Sequence, residues 1–142
     1  MQPSHVLVPL DGSPLSEAAL AHALDVFDCP VTVLNVVTPL DASMSESGVI
    51  EREEREDEAR EYADEVIDEA ERRAAESGQS IETAVEEGDP AETIVAYADE
   101  HDVDQIVMGG HSGDASDLTQ RLLGTVATAV VREAPVTVTV VR

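Results

Sequence analysis

Five short, mostly apolar runs alternate with four segments of helical period along this chain. That alternation constrains the fold more than any other feature of the sequence. The first run, "HVLVPLD" from His5 to Asp11, is apolar nearly throughout and ends in an acid, as a strand buried on both faces does. "GSPLSEAALAHALDVF" then reads as a helix, with Ser13 as N-cap, Pro14 at the first helical position, and Leu20, Ala23, Leu24 and Phe27 on one face. Val31 to Thr38 makes a second strand, followed by a polar loop, "LDASMSESG".

The longest helix follows, "EREEREDEAREYADEVIDEAERRAAESG", with Tyr62, Ala63, Val66, Ile67, Ala70 and Ala74 as its apolar stripe and Gly78 as C-cap. Its glutamates and arginines recur at three- and four-residue spacing, the pattern of a solvated face carrying ion pairs rather than an acidic tail. "SIETAVEEG" is a third strand, and Asp89, Pro90 and Glu92 open a third helix in capping-box fashion. "DQIVMGG" is the fourth strand, "TQRLLGTVATAVVREA" contains the fourth helix, and "PVTVTVVR" is the fifth strand. The expectation is an α/β fold: one domain over residues 1–142, with an open five-stranded parallel sheet and helices on both faces.

Composition narrows the chemistry. The chain has 31 acidic residues against 8 basic ones, a formal charge of -23, and every basic residue is an arginine. A Walker phosphate loop, a kinase strand lysine and a Schiff-base enzyme all need the lysine that is missing. No basic patch for nucleic acid can be assembled. Such charge repels itself unless salt screens it, and at molar salt the Debye length is about 3 Å. The sequence therefore reads as a haloarchaeal-type protein of a salt-loaded cytoplasm. It shows no basic-then-apolar leader and no run long enough to cross a membrane. Cys29 alone excludes an internal disulfide and reads as a small buried residue, and His5, His22 and His101 lack metal-ligand spacing.

Two strand ends are decorated. Strand one ends in Asp11-Gly12-Ser13 and strand four in Gly109-Gly110-His111-Ser112-Gly113, while Gly124-Thr125 follows further on. In an open parallel sheet, ligands bind outside the carboxyl ends of the strands. Glycines there can adopt positive φ and expose amides to an anion, and a helix N-terminus at Gly124-Thr125 would add donors. The plainer alternative is a tight strand-to-helix turn. Asp11 likewise reads either as a ligand contact or as a cap of the next helix; a receiver-type acid would need a lysine partner. His111 reads as a binding contact before a catalytic base, since only Ser112 stands near it in sequence.

These residues resemble the universal stress proteins over essentially the whole chain. "VLVPLDGSPLSEAAL", "VTVLNVV" and "DQIVMGGHSG" with "LLGTVATAVVREAPVTVTVV" carry the resemblance. The family's nucleotide-binding motif, G-x2-G-x9-G-[S/T], is matched by Gly110, Gly113, Gly124 and Thr125, with ten residues rather than nine before Gly124. The resemblance implies a Rossmann-like sheet and ATP at the strand ends, with Mg2+ or Mn2+. It implies that Asp11 contacts base and ribose, and that Val36, after Asn35 where the family often has histidine, offers its backbone to adenine. Gly110 and Gly113 would lie along ribose and phosphates, and Gly124 and Thr125 would bind phosphates and position the cation. Pro9, His111 and Ser112 are further candidate contacts. Asp114 and Asp117 stand where related proteins often carry basic or neutral residues, and Arg121 is the nearby positive charge.

The resemblance also implies a homodimer through the last strand, Val136 to Val141, whose uncharged edge would otherwise invite aggregation. The expected function is a stress-response protein that binds adenine nucleotide and turns it over slowly or not at all. Two alternatives remain: a partner-binding module without nucleotide, and a hydrolase of an adenylated or phosphate-bearing small molecule using His111.

Overall fold

The computed structural model of the chain describes residues 3–38, 49–111 and 123–142, with residues 49–55 described by backbone alone. The expected loop Leu40–Gly48 and residues Ser112, Gly113, Asp114, Asp117 and Arg121 lie outside the described residues.

The described elements run β1 (Val6–Pro9), α1 (Pro14–Val26), β2 (Val31–Val37), α2 (Val49–Glu76), β3 (Glu82–Glu87), α3 (Pro90–Glu100), β4 (Gln105–Gly109), α4 (Thr125–Glu133) and β5 (Thr137–Val141). All strand pairs are parallel, in the order β3-β2-β1-β4-β5. The α/β sheet expected from the alternation is the one observed.

Each helix start has a local cause. Ser13 Oγ accepts from the Ser16 amide and Pro14 occupies the first turn of α1. Asp89 does the same for α3 through the Glu92 amide, at 3.1 Å, ahead of Pro90. After α2, Gly78 takes φ 71° and the chain folds back, with Gln79 donating to the Ala74 carbonyl at 2.9 Å.

Alternation along the central strands sorts side chains into two cores. Val6, Val8, Val31, Val33 and Val107 face α1 and α2, where Leu20, Ala23, Val66 and Ala70 cover them. Leu7, Leu34, Ile106 and Met108 face the other way, onto Ile94 and Ala98 of α3 and Ala127 and Val130 of α4.

Two details, at Tyr62 and Cys29, depart from the sequence expectation, and β3 adds a third that local pattern does not address. β3, expected as a strand with no burial assigned to it, is an edge strand carrying Glu82, Glu86 and Glu87 and is exposed along most of its length. Tyr62 leaves the α2 stripe and is 51 % exposed, whereas Ala63, Val66, Ile67, Ala70 and Ala74 are buried. Cys29 is half-buried against the rim of the first core. The ion pairs expected on α2 are present: Arg72 bridges Glu69 and Glu76, and Arg73 reaches both Glu69 and Glu17 of α1. Exposed pairs of this kind contribute little to stability.

Candidate functional site

The strand order reverses direction beside β1: the chain builds β2 and β3 on one side, then returns to place β4 and β5 on the other. A crevice opens where the two halves part. Pro9 widens it. The amides of Val6 and Leu10 donate toward β2, to Pro30 and Leu34, at 3.0 and 2.9 Å. By alternation the position of Pro9 faces β4, and there proline has no N–H to give. The β1–β4 ladder accordingly contains only the pairs Val6↔Gln105 and Leu7↔Ile106, while β4 and β5 stay paired through Gly109↔Val141.

The resulting cavity has a volume of about 530 Å³. Its floor is apolar, formed by Leu34, Ile94 and Met108, and its walls include Pro9, Asp11, Val36, His111 and Thr125. Of the residues expected to form the site, those five are brought together on the cavity wall. Gly110 and Gly124, also expected in the site, are not among its lining residues. The Gly110 amide donates to Val141 O at 2.8 Å, and the Gly124 amide donates to Gly110 O at 2.6 Å. Both N–H groups are thus committed to backbone in this conformation. Neither glycine adopts positive φ; Gly12 does, at φ 84°. Ser112 and Gly113 lie outside the described residues.

Gly109, not singled out by the motif, lines the cavity and has a packing reason to be glycine. A Cβ there would sit 2.9 Å from the Leu15 carbonyl carbon and 3.0 Å from the Ser16 amide nitrogen. Glycine lets α1 lie directly on the end of β4. The apolar floor was also missed, because a leucine under a ligand and a leucine in a core look alike in sequence.

Three helix N-termini converge on the crevice, marked by Ser13 and Ser16 of α1, Pro90 of α3, and Thr125 to Ala127 of α4. Side chains cap the first two, whereas α4 starts after Gly124 with no side-chain cap among the described residues. The partial positive charge of that terminus, with amides left over from the helix, suits an anion. Thr125 adds an exposed hydroxyl. No lysine or arginine lines the cavity among the described residues. His111 Nδ1 is buried there without a hydrogen-bond partner among the described residues.

The Asp11 side chain accepts from the Ser13 amide at 2.9 Å, and its backbone carbonyl accepts from Tyr62 Oη at 2.7 Å. Asn35 Nδ2, buried in β2, donates to the Leu10 carbonyl at 2.9 Å. Among the described residues no group of three or more His, Cys, Asp or Glu is placed to hold a metal ion. No helix among them is long and apolar enough to cross a membrane.

Known proteins share this architecture. A universal stress protein of Methanocaldococcus jannaschii is 33% identical over 149 residues, covering 96% of this chain and 81% of that protein. The structure of a universal stress protein from Lactobacillus plantarum has the same fold, with a TM-score of 0.82 at 24% identity over 100% of this chain and 99% of that one. Another universal stress protein, in complex with cAMP, superposes with a TM-score of 0.73 at 25% identity, covering 100% of this chain and 99% of that one. The model of the universal stress protein family matches residues 3–142. With that match over a five-stranded sheet that opens beside β1, the chain belongs to the universal stress protein family.

Proposed function

We propose that the chain is a single-domain stress-response protein that binds an adenine nucleotide, ATP with Mg2+ or Mn2+, in the crevice beside β1. The observation that carries this reading is the N-terminus of α4, without a side-chain cap among the described residues, facing a 530 Å³ cavity with an apolar floor. The floor suits a planar base, the helix terminus suits phosphate, and Asp11 on the wall suits ribose hydroxyls. Val36 offers backbone to the base, Gly110, Gly113 and Gly124 shape the path of the phosphates, and Thr125 meets the cation through the nucleotide. The cAMP held by a relative supports the adenine part of this reading.

Asp11 and His111 are the titratable side chains among the described lining residues. The small number of proton-transfer groups among these described residues supports slow turnover at most. β5 leaves one side of its backbone unpaired at the sheet edge, which supports antiparallel pairing with a second copy through Val136 to Val141. The acidic, lysine-free surface supports work in a salt-loaded cytoplasm.

Calorimetric titration of ATP, with AMP as comparator, into the protein in molar KCl with magnesium tests the assignment. Saturable binding that is weaker for AMP supports phosphate recognition at α4. A second reading, a protein-interaction module without nucleotide, draws on the absence of any cationic side chain among the described lining residues. Absence of binding for both nucleotides would favour it.

A further inference from the structure

The turn between β1 and α1 is clamped from two directions. Successive carbonyls, those of Leu10 and Asp11, accept from Asn35 Nδ2 of β2 at 2.9 Å and from Tyr62 Oη of α2 at 2.7 Å. Between these anchors and α1, Gly12 turns at φ 84°. A Cβ on Gly12 would overlap the Tyr62 hydroxyl and approach Val66 Cγ2 to 3.1 Å. The turn and the phenol are therefore fitted to each other where α2 meets the β1–α1 turn.

Burial in the core does not account for Tyr62. It is one of three aromatic residues in the chain, yet it is 51 % exposed beside a stripe of buried Ala, Val and Ile. What holds it is its hydroxyl. Leu10 lines both the crevice and a separate cavity of about 170 Å³ between α1 and α2, and Tyr62 lines that second cavity. The Leu10–Gly12 turn is thus the partition between the two spaces. The Asp11 carboxylate is tied to the Ser13 amide, so it moves with the backbone that Tyr62 holds.

We propose that Tyr62 is a positioning residue for the crevice: its hydroxyl fixes the Asp11 carbonyl and thereby sets where the Asp11 carboxylate stands, coupling α2 to the ligand site. The inference rests on the adenine-nucleotide reading given above. A carboxylate that must receive ribose hydroxyls has to be placed within about 0.5 Å, and a flexible glycine turn does not hold such a position unaided.

Tyr62→Phe removes only the hydroxyl of a half-exposed ring, so the fold is expected to persist. ATP affinity, measured by calorimetry in molar KCl with magnesium, should fall about three- to tenfold, the scale of one lost hydrogen bond. In an Asp11→Ala background the same substitution should change affinity less than about twofold. Equal weakening in both backgrounds, or none in the parent protein, would overturn the proposal. Should the parent protein take up no ATP, the nucleotide reading fails separately, and the proposal is decided in the free protein. There, the amide resonances of Gly12 and Ser13 shift in Tyr62→Phe if the hydroxyl positions the turn; unchanged resonances would overturn it.

Discussion

Gly124 donates its amide to the carbonyl of Gly110 at 2.6 Å, and Gly110 passes the chain of bonds on to Val141 at 2.8 Å. This short relay ties the start of α4 to the ends of β4 and β5. A Cβ on Gly124 would fit tightly, 3.2 Å from His111 Cα and 3.3 Å from Gly110 O, so this backbone would have to give by a few tenths of an ångström. Gly124→Ala should shift the α4 N-terminus and weaken ATP binding about tenfold. The accompanying loss of stability should be about 1–3 kcal/mol. Titration and urea denaturation of the same variant measure the two effects; undiminished binding would remove Gly124 from the site.

Pro9→Val should trade binding for stability. The new amide faces β4 and can extend a ladder that now stops at Leu7↔Ile106. One added hydrogen bond raises stability by about 0.5–1.5 kcal/mol. Drawing β1 and β4 together also narrows the crevice, so affinity should fall severalfold. A higher urea midpoint with weaker binding is the expected pair of results, and a lower midpoint would show that proline is not what ends the ladder.

Gly109→Ala and Gly78→Ala separate two reasons for glycine. At Gly109 the obstacle is backbone of α1 at 2.9–3.0 Å, which cannot swing aside, so a cost of about 1–3 kcal/mol is expected. At Gly78 nothing lies within 4 Å, but φ is 71°, so only conformational strain of about 1–2 kcal/mol applies. Calorimetric melting should lower Tm for both. Only Gly109→Ala should also alter the near-site amide resonances.

Much of this was readable in the sequence, and the exceptions have physical causes. The order of strands and helices followed from period and caps, because Ser13, Asp89 and Gly78 act through bonds to their own neighbours. Asp11, His111 and Thr125 could be placed near one crevice because they follow strands or begin a helix, whereas Val36 is placed there only by the resemblance to the universal stress proteins. The edge position of β3 depends on strand order, which local pattern does not encode. Tyr62 fits the helical period of its stripe, and only the tertiary contact with Asp11 shows why it lies outside the core. The packing role of Gly109 and the floor of Leu34, Ile94 and Met108 likewise exist only once distant segments meet.

Asp104 joins the chain's beginning to the start of β4. Its carboxylate accepts from the Ser4 amide and hydroxyl at 2.9 and 2.8 Å and from the His5 amide at 3.2 Å. Those bonds, led by the Ser4 amide, hold the carboxyl below its ordinary range. With the folded value depressed, the stabilisation is present above the unfolded-state range and is lost as pH falls through the folded value. The slope of stability against pH below about pH 4 should be shallower in Asp104→Asn than in the parent protein. Equal slopes would mean that the Ser4 contacts form no better with the charged group.

Salt should stabilise the fold. With 31 acidic residues against 8 arginines, repulsion across the surface is screened as the Debye length shrinks from about 10 Å at 0.1 M to about 3 Å at 1 M. The urea midpoint should rise steadily with KCl over that range. A flat response would show that the carboxylates are too well solvated to repel one another.

The two margins of the sheet are not equivalent. β3 presents Glu82, Glu86 and Glu87, while β5 presents only Thr and Val. A sheet that can be extended at both margins grows without limit; one that carries a fence of carboxylates on one side has a single direction in which to add a strand. Joining two such sheets at β5 leaves a charged fence at each end of the composite. If two copies join at β5 as proposed, association through strands stops there, because Glu82, Glu86 and Glu87 mark the far edge of each sheet.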